Sequence, residues 1–418
     1  MRKMAQYILK KSPALCGEAS VQRSKNAVLP MMACCLMTQE PIELCNVPQL
    51  TDVDCMAALL TDLGAKVTRQ REDVTLCGEN LSSWQTDARW VERMRASVLA
   101  MGPLLARCGR ARMHFPGGCA IGSRPIDLHL KGFAAMGARI ELDQGCIEAR
   151  VDALHGAEIY LDFPSVGATE NLMMAAALAN GTTVLENAAK EPEIVDLAGL
   201  LVRMGAKIDG AGQSRVRIEG RSALYGASYT PMADRIEAGT LMLCAAATGG
   251  DVLLRGAEED ALQAVTAKLR ECGAEVTGDA SGLRVRGGRL RGVDVETLVY
   301  PGFPTDLQAP MMALLCRAEG TSILTEHIFE KRFMQVPQLR TMGASIAVRG
   351  RNAIVRGVMA LHGARVAATD LRAGAALVLA GLTAEGHTTV TDVSHIERGY
   401  VDLAGKLNAL GAQVVRQE

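Results

Sequence analysis

The chain has 418 residues, of which 49% are hydrophobic and 22% charged, and its formal net charge is −1. This composition excludes a disordered chain, and the charge gives no reason to expect nucleic acid or an anionic membrane as partner. The N-terminal MRKMAQYILKK lacks the apolar run of a signal peptide. No window approaches the roughly 18 uninterrupted apolar residues of a membrane span. We therefore expect a cytoplasmic protein of two domains, each of about 200 residues.

Cysteine is frequent, with 12 residues, but no Cys-x-x-Cys pair occurs. Such a pattern fits reduced thiols better than a disulfide framework or a zinc site. We expect no metal, no cofactor and no obligate protein partner.

A short pattern returns along the chain: an amphipathic helix, then Gly-Ala, then alternating apolar residues. Its glycines are Gly64, Gly137, Gly205, Gly273, Gly343 and Gly411. Their spacing of about 70 residues indicates an internal duplication with six units. Each glycine stands where a helix ends and a strand begins, a position that commonly needs a positive φ.

A second helix in each unit is apolar on nearly every face. The six segments are KNAVLPMMACCLM, SVLAMGPLLARC, ENLMMAAALAN, GTLMLCAAAT, PMMALLCRA and RAGAALVLAGL. A helix that is hydrophobic all round is buried all round, and these runs are too short and too closely flanked by charges to span a membrane. The sequence therefore predicts an α/β fold with one buried helix per unit, sheets outside, and two domains of three units that meet near Pro231.

The starts of these buried helices are rich in polar residues. Helix N-termini attract anions, so six starts facing one crevice would bind a strongly anionic ligand. The alternative is that Asp, Ser and Thr here are ordinary N-caps. Lys25, Arg95 and Arg372 oppose the helix dipole, so we expect something negative to compensate them.

The segment from Phe115 to His129, FPGGCAIGSRPIDLH, is typical of a mobile lid because three glycines surround a thiol. It brings Cys119, Arg124 and Asp127 together in one short segment. The thiol could serve as nucleophile or acid, the guanidinium could hold an anion, and Asp127 adds a carboxylate. Free cysteine is usually a small buried hydrophobe, but the neighbours of Cys119 are glycines, a proline and an arginine.

Motifs over almost the whole chain resemble the UDP-N-acetylglucosamine enolpyruvyl transferases (1-carboxyvinyltransferases) of the EPSP synthase family. They are SKNAVLP (24–30), MRASVLAMGPL (94–104), PGGCAIGSRPIDLH (116–129), SVGATEN (165–171), NAAKEPEIVD (187–196), DRIEAGT (234–240), FPTDLQ (303–308), IFEKRFM (328–334), ATDLRAGAALVLAG (368–381) and HIERGY (395–400). The shikimate-phosphate enolpyruvyl transferases are similar in fold but lack the cysteine-bearing lid.

The resemblance implies a two-domain inside-out α/β barrel of six repeats, with substrates in the cleft between the domains. One domain is 25–232, with the lid, and the other combines 1–24 with 233–418, because in this family the N-terminus completes the second domain. The implied reaction joins phosphoenolpyruvate to the 3-hydroxyl of UDP-N-acetylglucosamine, releases phosphate, and commits the sugar nucleotide to peptidoglycan synthesis.

Catalytic roles follow from motif positions in the resembled family. Cys119 is similar to the general acid that protonates the methylene carbon, and we expect fosfomycin, the family's epoxide inhibitor, to alkylate it. Asp306 is similar to the acceptor of the sugar hydroxyl proton, with an N-cap as the alternative role. Lys25, Arg124 and Arg398 resemble the clamp on the phosphate side.

The resemblance also implies a substrate-binding set. Arg332 and Arg372 are similar to arginines that hold the anion or the lid, and Asp370 is expected to pair with cations around phosphate. The nucleotide contacts are Arg95, Arg124, Pro125, Ile126, Asp127, Leu128, Ser165, Val166 and Gly167. Asn26, Glu191 and Ile328 belong to the same set with roles left open.

The sequence departs from the family pattern in three places. Gln22, Arg23 and Ser24 precede Lys25 where the family commonly has small residues, which raises the question of a changed hinge. Phe163 and Thr51 stand where some members carry a base, so phosphate contacts there are expected to be fewer.

A shikimate 3-phosphate transferase and a weakly catalytic paralogue that binds the UDP-sugar remain the alternatives.

Overall fold

The structure is a computed structural model that describes residues 5–115, 126–143 and 145–418. The described residues form two compact units. We call residues 23–115, 126–143 and 145–232 the Lys25 unit, and residues 5–22 and 233–418 the Asp306 unit.

The helices, in chain order, are α1 (Lys25–Ala33), α2 (Thr51–Asp62), α3 (Ala88–Arg93), α4 (Met101–Cys108), α5 (Asp127–Ala135), α6 (Val166–Ala177), α7 (Pro192–Arg203), α8 (Arg235–Ala247), α9 (Gln263–Cys272), α10 (Gln308–Leu315), α11 (Val336–Thr341), α12 (Leu371–Thr383) and α13 (Leu403–Ala409). Short 3₁₀ turns cover Cys34–Met37, Arg95–Ala100, Asp260–Leu262, Thr305–Leu307 and Val393–Arg398.

The strands are β1 (Gln6–Lys10), β2 (Cys16–Ser20), β3 (Ile42–Leu44), β4 (Lys66–Gln70), β5 (Asp73–Cys77), β6 (Arg110–His114), β7 (Arg139–Asp143), β8 (Cys146–Arg150), β9 (Glu158–Tyr160), β10 (Thr182–Glu186), β11 (Lys207–Asp209), β12 (Arg215–Glu219), β13 (Ala227–Tyr229), β14 (Asp251–Arg255), β15 (Glu275–Asp279), β16 (Gly282–Arg286), β17 (Val295–Thr297), β18 (Thr321–Glu326), β19 (Ser345–Arg349), β20 (Asn352–Arg356), β21 (Arg365–Ala367), β22 (His387–Thr391) and β23 (Val414–Gln417).

These strands form small mixed sheets that share one pairing pattern. In the Lys25 unit the strand orders are β13-β3-β5-β4, β6-β8-β7 and β11-β12-β10-β9. In the Asp306 unit they are β15-β16-β14-β2, β17-β18-β20-β19 and β21-β22-β1-β23. Each four-stranded sheet has one parallel pair, and its other pairs are antiparallel. In the three-stranded sheet, the parallel bridge between Gln85 and Arg112 takes the place of the fourth strand.

The helices predicted to be buried are buried in the structure. In the Asp306 unit every residue of α10 and α12 except Leu371 is buried, and α8 packs against both helices. In the Lys25 unit ten consecutive residues of α6 are buried, from Ala168 to Ala177, and α4 packs against them. Because these helices are apolar all round, each unit keeps them inside its sheets. The α/β prediction is confirmed.

The six glycines of the repeated pattern all have φ between +92° and +106°. A residue with a side chain is strained there, so glycine ends each amphipathic helix and turns the chain into the next strand. The predicted positive φ is confirmed at each of them.

Four of the six buried helices begin with the expected N-cap. Ser24, Ser165, Asp234 and Asp370 each accept a hydrogen bond from a backbone N–H of the first turn. This satisfies donors that have no partner within the helix. Among the described residues, the helices are all too short or too polar to cross a bilayer.

Candidate functional site

The predicted lid falls largely outside the described residues. Cys119, Arg124 and Pro125 lie there, and their roles stay predictions. Ile126 is buried and precedes α5, and Asp127 and Leu128 form the first turn of that helix.

Asp306 lies in the 3₁₀ turn before α10 and meets two guanidinium groups. Arg332 Nη2 is 2.8 Å from its Oδ1, and Arg372 Nη2 is 2.8 Å from its Oδ2. Both arginines are only 5% exposed, so these charge-assisted bonds are sheltered from water. Pro304, not Asp306, is the N-cap of the turn, and the N-cap interpretation of Asp306 is therefore wrong.

Arg372 also contacts the buried side chain of Tyr400. Its Nη1 donates to the hydroxyl oxygen of Tyr400 at 3.2 Å, and that hydroxyl lies 2.9 Å from Thr240 Oγ1. Burial disfavours the charged guanidinium, but Asp306, Tyr400 and Asp234 together more than offset it, so the pKa of Arg372 is raised. Arg372 therefore stays charged, and the carboxylate of Asp306 supplies the compensation expected for this cation.

Glu326 holds the backbone and side chains around Asp306. Its Oε1 accepts from Thr297 Oγ1 and from the N–H groups of Ile328 and Phe329, all within 3.0 Å. Its Oε2 accepts from Thr305 Oγ1 at 2.9 Å. Glu326 is 1% exposed, and these bonds satisfy its carboxylate. Because Thr305 also accepts from Arg332, Glu326 connects Ile328 with the Asp306 cluster.

Asp370 and Arg398 also belong to the Asp306 unit. Asp370 caps α12 through Oδ1, which accepts from the N–H groups of Arg372 and Ala373. Its pairing with cations around phosphate stays a prediction. Arg398 is half-buried and ends the 3₁₀ turn Val393–Arg398.

Lys25 is the first residue of α1 in the Lys25 unit, and Asn26 follows it. Lys25 Nζ lies 3.1 Å from Asp52 Oδ2, and the two side chains are 12% and 6% exposed. Asp52 thus supplies the negative charge that a cation at a helix N-terminus requires. The arrangement presents an ammonium group, held by α2, at the start of a buried helix.

Two of the predicted nucleotide-binding residues, Arg95 and Gly167, lie near a buried histidine that the sequence did not single out. His129 Nδ1 is 3.0 Å from Asn171 Nδ2, and the same amide donates to Val98 O at 2.8 Å. Burial, with the positive charge of Arg95, lowers the pKa of His129 to about 4. A Cβ at Gly167 would lie 3.6 Å from the His129 ring. The start of α6, with its N-cap Ser165 and first residue Val166, therefore lies beside His129.

Three buried glutamates lie near one another in the same unit. Burial raises the pKa of Glu170 well above its usual value, and the negative charges of Glu193 and Glu191 add to this effect. Glu191 precedes α7 as its N-cap residue, and Pro192 begins the helix. Glu170 therefore keeps its proton to a higher pH than an exposed glutamate does.

The structure adds functional candidates that sequence reasoning missed: Asp52, His129, Asn171, Glu326 and Tyr400. The sequence carried a weak signal for three of them, since His129 ends the lid motif, Asn171 ends SVGATEN and Tyr400 ends HIERGY. Asp52 and Glu326 could not be found locally, because each contacts groups more than 20 residues away.

The comparisons with known proteins agree with this fold and these motifs. The family model described as EPSP synthase (3-phosphoshikimate 1-carboxyvinyltransferase) matches residues 9–407. Among solved structures, the enolpyruvyl transferase NikO from Streptomyces tendae superposes with a TM-score of 0.89 at 24% identity, covering 99% of both chains. An EPSP synthase from Acinetobacter baumannii gives 0.77 at 18% identity, covering 100% of both chains. The fold is therefore that of the enolpyruvyl transferases.

The chain belongs to the EPSP synthase family and is an enolpyruvyl (1-carboxyvinyl) transferase. It is 51% identical over 412 residues to UDP-N-acetylglucosamine 1-carboxyvinyltransferase 1 of Caldanaerobacter subterraneus subsp. tengcongensis, covering 98% of this chain and 99% of that one. It is 53% identical over 416 residues to the transferase 2 of Carboxydothermus hydrogenoformans, covering 99% of both. The UDP-N-acetylglucosamine 1-carboxyvinyltransferase 1 of Halalkalibacterium halodurans is also 53% identical, covering 99% of this chain and 94% of that one. The predicted family is confirmed.

Proposed function

We propose that this chain transfers the enolpyruvyl group of phosphoenolpyruvate to the 3-hydroxyl of UDP-N-acetylglucosamine and releases inorganic phosphate. One observation carries the proposal: relatives with this substrate in their names are 51–53% identical to the chain over nearly its full length. The lid motif PGGCAIGSRPIDLH, which the shikimate-phosphate enzymes lack, favours the sugar nucleotide as acceptor.

The proposed reaction is an addition followed by an elimination. The 3-oxygen forms a bond to C2 of phosphoenolpyruvate while its proton leaves to a base and C3 gains a proton from an acid. The C2–O bond to phosphate then breaks, C3 loses a proton, and the double bond is restored. Asp306 is the proposed base and Cys119 the proposed acid.

Phosphoenolpyruvate carries close to three negative charges, so its binding needs several cations in a partly dry site. Lys25, Arg124 and Arg398 are the proposed clamp on the phosphate side. Arg332 and Arg372, both buried and charged, are proposed to hold the anion as well. A guanidinium that turns toward the anion loosens its hold on Asp306, which makes that carboxylate a better proton acceptor.

The proposed nucleotide site uses the start of α6. Ser165, Val166 and Gly167 offer backbone N–H groups near the positive end of a helix dipole, which suits a diphosphate. Arg95 and the segment from Arg124 to Leu128 add side-chain and backbone contacts. Asn26, Glu191, Ile328 and Asp370 complete the set of substrate contacts.

The finer architecture and the biological setting belong to the same proposal. The domains are 25–232 and 1–24 with 233–418, each an inside-out arrangement of three repeats. The repeated sheet pattern and the spacing of the six glycines support it. The reaction is the first committed step of peptidoglycan synthesis, and it takes place in the cytoplasm.

A phosphate-release assay tests the function. We expect release from phosphoenolpyruvate only when UDP-N-acetylglucosamine is present, and none when shikimate 3-phosphate replaces it. Release with shikimate 3-phosphate alone would contradict the acceptor assignment. Tight binding of UDP-N-acetylglucosamine without any release would identify a non-catalytic paralogue instead.

A further inference from the structure

The side-chain amide of Gln22 bridges two backbone groups in the Asp306 unit. Its Nε2 donates to the carbonyl oxygen of Gly399 at 2.9 Å, and its Oε1 accepts from the N–H of Val401 at 2.8 Å. Gly399 follows Arg398 directly in the chain, and Val401 stands two residues further on. The amide therefore spans the backbone on the carboxyl side of that arginine, where Gly399 is buried and needs a partner for its carbonyl.

The main chain of Gln22 is itself held on both sides. Its N–H donates to Glu237 Oε2 at 2.6 Å, and its carbonyl accepts from the N–H of Asp234 at 2.8 Å. Glu237 is fully buried and also accepts from Lys406 Nζ at 2.6 Å. These two hydrogen bonds fix the backbone of Gln22, from which its side chain reaches the segment 399–401.

The bridged segment connects Arg398 with the Asp306 cluster. Tyr400 lies between the two bonded residues, is 1% exposed, and accepts from Arg372 through its hydroxyl. Arg372 in turn pairs with Asp306. A shift of the segment would move the guanidinium of Arg398 and the hydroxyl of Tyr400 together.

Gln22 belongs to the stretch in which this sequence departs from the pattern of the family it resembles. A small residue at this position would lack the length to reach Gly399 and Val401. The bridge is therefore a property of the side chain that this sequence carries.

We propose that Gln22 is a positioning residue: its amide holds the backbone after Arg398 so that the guanidinium meets the phosphoenolpyruvate anion. The inference rests on the proposed function, because it uses the proposed role of Arg398. It assigns Gln22 no contact with substrate.

The first test compares Gln22→Met, which keeps the length but neither hydrogen bond, with the wild-type chain in the phosphate-release assay. We expect the KM for phosphoenolpyruvate to rise about tenfold, since a loosely held cation weakens a charge-assisted contact. The KM for UDP-N-acetylglucosamine should change less than about twofold, because the proposed nucleotide contacts do not depend on this segment. Gln22→Ala should act in the same direction.

Asn408→Ala is the matched control. The Asn408 amide also bridges a backbone, donating to Val414 O and accepting from Val414 N–H, each at 2.8 Å. It lies on α13 of the same unit, so its loss should lower the melting temperature comparably while both KM values stay within about twofold of wild type. If Asn408→Ala raises the KM for phosphoenolpyruvate as much as Gln22→Met does, the effect is one of general stability and the inference fails.

A double-mutant cycle with Arg398→Ala identifies the group through which Gln22 acts. In that background Gln22→Met should leave the KM for phosphoenolpyruvate unchanged, because the positioned cation is gone. A further tenfold rise in that background would overturn the inference. A wild-type chain that releases no phosphate would overturn the proposed function and this inference with it, whereas an active chain whose Gln22 variants keep their KM would overturn only the inference.

Discussion

Arg372 reaches Asp306 with two of its nitrogen atoms: Nη2 lies 2.8 Å and Nε 3.2 Å from the same carboxylate oxygen, Oδ2. The residues are 66 positions apart, on α12 and on the turn before α10. Arg332 occupies the other oxygen of the carboxylate. Asp306 is therefore oriented by two buried cations, and its removal should affect both stability and chemistry.

Asp306→Asn should lower kcat in the phosphate-release assay by about 100-fold or more, because the amide cannot accept the sugar hydroxyl proton. It should also lower the free energy of unfolding by about 2 kcal/mol, since two buried guanidinium groups lose a shared countercharge. Asp294→Asn is the control, because Asp294 accepts a backbone bond from Ile323 in an exposed position. An Asp306→Asn variant with wild-type kcat would contradict the assigned role.

Asp52→Asn should lower the free energy of unfolding by about 2 kcal/mol, because it leaves the largely buried Lys25 without the carboxylate that faces it. The comparison variant is Asp162→Asn. Asp162 pairs with Lys131 at 2.7 Å in the same unit, but the side chains of Asp162 and Lys131 are 67% and 48% exposed. Its loss should cost less than about 0.5 kcal/mol. Urea denaturation measures both values, and equal losses would show that burial does not strengthen the Lys25 pair.

His129 should make the protein less stable in mild acid. Its pKa is lowered to about 4 in the folded protein, mainly by burial, whereas an unfolded histidine titrates near 6.5. Between these values the unfolded state binds more protons at this histidine than the folded state does. The stability that neutral His129 contributes is therefore fully present above a pH of about 6.5 and is lost as the pH falls toward about 4. The full loss is about 3 kcal/mol.

The measurement is denaturation at several pH values for the wild type, His129→Gln and the exposed control His155→Gln. The stability difference between wild type and His129→Gln should shrink as the pH falls from about 6.5 to about 4. His155→Gln should follow the wild-type profile. Parallel profiles for wild type and His129→Gln would contradict the predicted neutral histidine.

Cys119→Ala should abolish most turnover, and fosfomycin should alkylate this thiol in the wild type. Bound phosphoenolpyruvate should slow alkylation of Cys119 by iodoacetamide, because its negative charge offsets nearby cations and returns the proton to sulfur. Cys34 and Cys35 are internal controls, since both are fully buried and burial raises the pKa of each thiol. Mass spectrometry that finds no fosfomycin adduct at Cys119 in the presence of the nucleotide would count against the assignment.

Much of the fold could be predicted because the relevant signals are local. A glycine that must adopt a positive φ, such as Gly64 or Gly411, is visible in the sequence, and so is an N-cap such as Ser165. The alternation of amphipathic and wholly apolar helices likewise reports which helices are buried. The resemblance of motifs such as FPTDLQ added the reaction class and the family, which the comparisons confirm.

The candidate site was predictable only as a set of residues, not as a set of contacts. By itself the sequence determined which helices are buried, the six-fold glycine spacing and the family. Only the tertiary structure decided that Asp52 faces Lys25, that Tyr400 contacts Arg372, and that Gln22 bridges the backbone after Arg398. The physical reason is that these partners lie from 27 to 379 residues apart, so only the packing of helices and sheets brings their polar atoms within hydrogen-bonding distance.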